Sequence, residues 1–137
     1  MIDADVQSFA LSIGAAEPDG DSQLGLLFRK MFKRHNYFLL NGRFLIIKIS
    51  RSQKPFWGVG KTFIDLLNGL DDYSLVLLTS ANEGWVFSKS EVNDRISSGH
   101  WAHREADDNY KINSPLPEGN WFSIPTWFAS LARRATS

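Results

Sequence analysis

Tyr37-Phe38-Leu39-Leu40-Asn41-Gly42-Arg43-Phe44-Leu45-Ile46-Ile47-Lys48-Ile49-Ser50 consists of two apolar runs split by Asn-Gly. That dipeptide readily supplies the positive dihedrals of a two-residue turn, so the stretch predicts a β-hairpin with strands Tyr37 to Leu40 and Arg43 to Ser50. Side chains alternate across the second strand. Arg43, Leu45, Ile47 and Ile49 fall on one side, and Phe44, Ile46, Lys48 and Ser50 on the other. Lys48 therefore projects from a largely apolar strand, at a sheet edge or with its head reaching for water.

Downstream, Arg51 to Gly60 reads as an irregular, positively charged connection. Lys61 to Leu70 predicts an amphipathic helix that packs through Phe63, Ile64, Leu66, Leu67 and Leu70. Tyr73 to Thr79 has the length and apolarity of a buried strand, and Asn82-Glu83-Gly84 turns it into Trp85-Val86-Phe87 as a second hairpin. Ser88 followed by Glu91 has capping-box spacing and starts a helix to Ser98. Tyr110 to Asn113 predicts a short strand, a Pro-Gly loop runs through Gly119, and Ile124 to Arg134 predicts a terminal helix with Pro125 in its first turn.

Upstream, Asp21 or Ser22 caps a helix through about Arg34, with Leu24, Leu27, Phe28, Met31 and Phe32 at helical spacing. Met1 to Ile13 is weakly helical and offers Val6, Phe9, Leu11 and Ile13 for packing; Gly14 to Gly20 breaks the pattern. The expected fold class is α+β: a compact domain with a central mixed or partly antiparallel sheet flanked by helices. Residues 1–20 are expected to form an arm or docked helix, 21–134 the domain, and 135–137 a tail.

With 43% hydrophobic residues, a chain of 137 fills one core but would leave two domains marginal. It has no cysteine, which excludes disulfides, thiolate metal ligands and a cysteine nucleophile. No stretch joins a positive segment to an apolar core and a cleavage site, and the longest apolar runs are strand-sized. The expected location is the cytoplasm, with no membrane partner.

Charge is polarised along the chain. Nine of the fifteen basic side chains lie between Ser22 and Ile64, where there is no Asp or Glu; Met1 to Asp21 carries net −5 and Asp65 to Ser137 net −4. Gathered on one face, the cations would attract a polyanion or an acidic protein. Arg29, Lys30, Lys33, Arg34, Arg43, Lys48, Arg51, Lys54 and Lys61 are accordingly the candidate nucleic-acid contacts. Trp57 is the candidate stacking residue, since a base can lie on an exposed aromatic while neighbouring cations hold the backbone.

Gly58-Val59-Gly60-Lys61-Thr62 resembles the end of a nucleotide-binding P-loop, but the motif requires glycine where Pro55 stands. Proline also removes a backbone donor. Gly58, Gly60 and Lys61 remain candidates for a looser phosphate contact at a helix start. His100-x-x-His103 with Glu105, Asp107 and Asp108 is the densest metal or acid-base segment, yet its spacing matches no common zinc pattern. No metal site or cofactor is assigned. The expected function is non-catalytic binding of nucleic acid, DNA or RNA. One alternative is a protein-interaction or regulatory subunit for an acidic partner. Another is a metal-dependent phosphate-processing enzyme, such as a nuclease, built from Lys48, Lys61 and distant carboxylates.

Overall fold

The computed structural model describes residues 3–17, 36–70 and 72–135. The helix expected up to Arg34 lies outside them. The hairpin forms as its turn chemistry dictates: β1 (Asn36–Leu40) and β2 (Arg43–Ile49) pair antiparallel, with Asn41 and Gly42 both at positive φ, 51° and 80°. Then follow β3 (Phe56–Gly60), α2 (Lys61–Leu67), β4 (Tyr73–Ser80), β5 (Glu83–Ser88), α3 (Lys89–Ser97), β6 (Ala102–Arg104), β7 (Asn109–Asn113), β8 (Trp121–Ser123) and α4 (Trp127–Ala135). The helix α1 (Ala4–Ile13) precedes them all, capped by the Asp3 carboxylate on the amides of Asp5 and Val6.

The architecture is α+β. A mixed five-stranded sheet has the order β1-β2-β4-β5-β8, and a second, antiparallel sheet has the order β3-β7-β6. Strands β2 and β4 run parallel, so the chain between them must cross over. It does so through β3 and α2. As the middle strand, covered on both faces, β4 is buried without interruption from Tyr73 to Leu78.

The five-stranded sheet divides the core. On one face Phe44, Ile46, Leu75, Leu77 and Phe87 pack with Trp57, Val59 and Ile112 of the smaller sheet, Phe63, Ile64 and Leu67 of α2, and Val92 of α3. On the other, Leu45, Ile47, Val76, Leu78 and Val86 meet Val6, Phe9 and Ile13 of α1, with Trp127 of α4. Phe9, Phe122 and Trp127 interlock with ring centroids 4.8 to 5.5 Å apart. The two faces of β2 follow its side-chain alternation, which puts Lys48 on the side facing the smaller sheet.

Several local expectations need correction. Arg51 to Gly60 contains a strand, β3, and β6 and β8 are further short strands whose few residues carry little periodicity. The terminal helix begins at Trp127, after a 3-10 turn at Ile124–Thr126. Leu11 is 73% exposed and belongs to neither packed face. The capping box at Ser88 forms as expected, each partner satisfying the other's amide.

Gly84 has no room for a side chain: a Cβ there would lie 2.2 Å from the Leu77 carbonyl oxygen and 2.9 Å from the Leu78 Cα, beside the bulge in the β4–β5 register. Gly84→Ala is expected to destabilise the fold by about 1–3 kcal/mol. Gly119→Ala, with open space around its Cβ, should change stability by less than about 0.5 kcal/mol. Denaturant midpoints at constant slope measure both.

Candidate functional site

Beyond Ile49 the chain leaves the sheet, and Ser50 fixes how it does so. The Ser50 amide donates to the Leu78 carbonyl at 3.0 Å, and the buried Ser50 hydroxyl accepts from the Phe56 amide at 3.2 Å. Arg51, Ser52, Gln53 and Lys54 are thereby looped out into solvent before β3 begins. Between the loop and the ends of the two strands opens a cleft of about 370 Å³, with Lys48, Ser50, Arg51, Ser52, Phe56 and Trp57 in its lining. Lys48 is half-buried, and burial pushes its ammonium below the usual lysine range because a charged head loses hydration there.

Of the five described cations expected to form one face, three are matched with acids. Arg43 pairs with Asp72 at 2.9 Å, Lys61 with Asp65 at 2.9 Å, and Arg51 with Asp3 at 2.7 Å and Asp5 at 3.0 Å. Lys54 is exposed in the loop. Arg29, Lys30, Lys33 and Arg34 lie outside the described residues. Among the described cations, the cleft brings together Lys48 and Arg51, with Lys54 in the same loop; Arg43 and Lys61 are not among its lining residues.

Trp57 also corrects the expectation. Its ring is 3% exposed, its indole N–H donates to the Leu78 carbonyl at 3.2 Å, and it meets Trp85 edge to face at 5.8 Å. A base cannot stack on it broadside. The exposed ring is its neighbour Phe56, at 52%. The period of two in Phe56-Trp57-Gly58-Val59-Gly60 could have revealed this, since Trp57 and Val59 turn inward while Phe56 turns out.

The expected phosphate contact at Gly58, Gly60 and Lys61 has a different occupant. Gly58 and Gly60 belong to β3, paired with Lys111 and Asn109, and the Asn109 side chain lies 3.4 to 3.7 Å from where their Cβ atoms would be. At the start of α2 the Lys61 amide donates to the Asp108 carbonyl at 2.9 Å, and the Thr62 hydroxyl to the Asp108 carboxylate at 3.1 Å. That carboxylate stands where an incoming anion would have to approach.

The histidine segment is tied into local hydrogen bonds. His103 Nε2 lies 2.8 Å from the second oxygen of Asp108, on the opposite side from Thr62, and His100 Nδ1 shares a hydrogen bond with the Ser98 hydroxyl. Among the described residues no group of three or more His, Asp or Glu side chains gathers as a metal ligand set. Nor is any helix among them long and apolar enough to cross a membrane.

Two substitutions test these assignments. Trp57→Ala is expected to lower unfolding free energy by about 3–5 kcal/mol, the range for emptying a buried aromatic site; chemical denaturation reads it directly. Hydrogen bonds from His103, and then from Thr62, hold the Asp108 carboxyl below its ordinary range. Its stabilisation is therefore present above the unfolded carboxylate value, about 3.9, and is lost as pH falls through the lower folded value. Asp108→Asn suits the local φ of 53°. It is expected to make the loss of stability below about pH 4 shallower, as measured by melts across pH. Comparison of the chain with protein-family models, curated proteins and solved structures finds no match.

Proposed function

We propose that the protein binds single-stranded nucleic acid without catalysis, through the cleft beside Lys48. The observation that supports this is the convergence of Lys48, Arg51 and the exposed Phe56 ring on one open cleft. In this reading one phosphate is held by the Lys48 ammonium and the Arg51 guanidinium, and Lys54, exposed in the same loop, serves the next one along the strand. The adjoining base stacks on Phe56, a contact every base can make. Arg51 keeps this capacity while paired with Asp3 and Asp5: both ion pairs use one terminal nitrogen, and a guanidinium has five donor hydrogens. Its side chain is 56% exposed.

A cleft with so few cations among its described residues favours a flexible strand over a duplex, whose regular phosphate track needs a wider cationic surface. Hydrolysis by metal ions would require carboxylates turned to the metal at the phosphate, whereas Asp3 and Asp5 are engaged by the Arg51 guanidinium. The absence of cysteine fits work in a reducing cytoplasm.

Fluorescence anisotropy with a labelled oligonucleotide at several salt concentrations tests the proposal. With one to three phosphates engaged, the slope of log K against log salt should be about −0.7 to −2. Lys48→Met is expected to reduce the magnitude of that slope by about 0.7. Phe56→Ala should weaken binding by about 1–3 kcal/mol at unchanged slope. Because the Lys48 head deprotonates more readily than a surface lysine, affinity should also start to fall at a lower pH than surface lysines would dictate. An absence of binding at low salt, or equal displacement by an acidic polypeptide, overturns the proposal.

A further inference from the structure

We infer that a second cleft, walled by Trp85 and Trp121, is a binding site for an alkylated ammonium cation, the head group of a trimethylated lysine or of a choline-like small molecule. The two residues are directly paired across β5 and β8, so their side chains rise from the same face of the sheet. Their rings meet at 73° with centroids 4.6 Å apart. Beside them opens a cleft of about 390 Å³, completed by Leu116 and Glu118. Strand β8 is one edge of the sheet, and Trp121 on it is 37% exposed.

The corner is held rigidly. Trp85 also meets the buried Trp57 edge to face, with centroids 5.8 Å apart. The Asn120 side chain donates to the Val86 carbonyl at 2.9 Å and to Glu91 at 3.0 Å, which fixes the turn carrying Glu118.

Charge selects the occupant. Aromatic faces are electronegative, and an indole face flanked by a second indole set at 73° to it, with a carboxylate at the rim, forms an apolar corner of negative potential. Glu83, two residues before Trp85 on the same strand face, is exposed and adds to that sign. An anion is repelled by this arrangement. A primary ammonium is strongly hydrated and loses more on leaving water than a methylated one, whose charge is spread over weakly hydrated methyl groups. The methylated cation therefore matches both the apolar walls and the potential.

Titration of the full chain with choline and with N-acetyl-trimethyllysine amide, followed by tryptophan fluorescence and calorimetry, tests the inference. At least one is expected to bind saturably, and the tighter of the two identifies the source of the head group. Unmethylated lysine amide and 3,3-dimethylbutanol, the neutral isostere of choline, should bind at least about tenfold more weakly. Trp121→Ala should abolish the response and Trp121→Phe restore part of it, with circular dichroism confirming the fold of each. Glu118→Gln should weaken binding about fivefold or more. Phe56→Ala, in the other cleft, should leave it unchanged. Equal binding of the neutral isostere, a response that survives Trp121→Ala, or no saturable binding of either cation overturns the assignment.

Discussion

The carbonyl of Leu78 accepts two hydrogen bonds, from the Ser50 amide and from the Trp57 indole, and most of the arrangement described here depends on that junction. The first bond holds the end of β2 against β4 where the chain departs. The second ties the smaller sheet to the larger through a side chain that also fills the space between them. A buried indole N–H without a partner would lose its hydration for nothing; directed at Leu78, it fixes the ring's position. Because Trp57 is fixed, Phe56 must point outward, Trp85 has a surface to lean on, and the loop between Ser50 and Phe56 has a defined span.

The charge polarity of the chain folds into local compensation. Acids from the N-terminal flank, Asp3 and Asp5, meet Arg51 across the molecule, and acids downstream of the basic block, Asp65 and Asp72, meet Lys61 and Arg43. Among the described residues, the five cations of the acid-free block thus meet local compensation at Arg43, Arg51 and Lys61 rather than forming a broad field. Exposed pairs of this type contribute little to stability. Their larger effect is on the field: three of these cations are neutralised in place, while Lys54 is exposed in its loop.

The elements legible in the sequence were those whose signals are local. Asn41-Gly42 set the first hairpin, the period of two in β2 assigned its faces, the apolar run of β4 marked a buried strand, and Ser88 with Glu91 marked the start of α3. The strands that escaped notice, β3, β6 and β8, are five residues or fewer and take their definition from their partners. The two glycines of β3 suggested a loop, yet a strand accepts glycine where the Asn109 side chain lies against its backbone. The site was legible only in part. Lys48 was visible as a cation in an apolar strand, whereas exchanging Trp57 for Phe56 requires recognising β3 as a strand, and the ion pairs of Arg43 with Asp72 and of Arg51 with Asp3 and Asp5 require the tertiary fold. The Trp85–Trp121 corner left no trace in the sequence, because its residues come together only through cross-strand register.

That register also relates the two clefts. Lys48, Leu77, Trp85 and Trp121 are successive partners across β2, β4, β5 and β8, so they form one row on one face of the sheet. Three strand spacings separate the ends of the row, about 14 Å. At physiological ionic strength this exceeds the screening length of about 8 Å, so exposed charges at the two ends scarcely feel one another through solvent. Between them stand Trp57 and Trp85, edge to face, an apolar partition across the row. One strand face thus carries a cationic cleft and an acid-rimmed aromatic cleft side by side, and the tryptophan that joins the sheets keeps their chemistries apart.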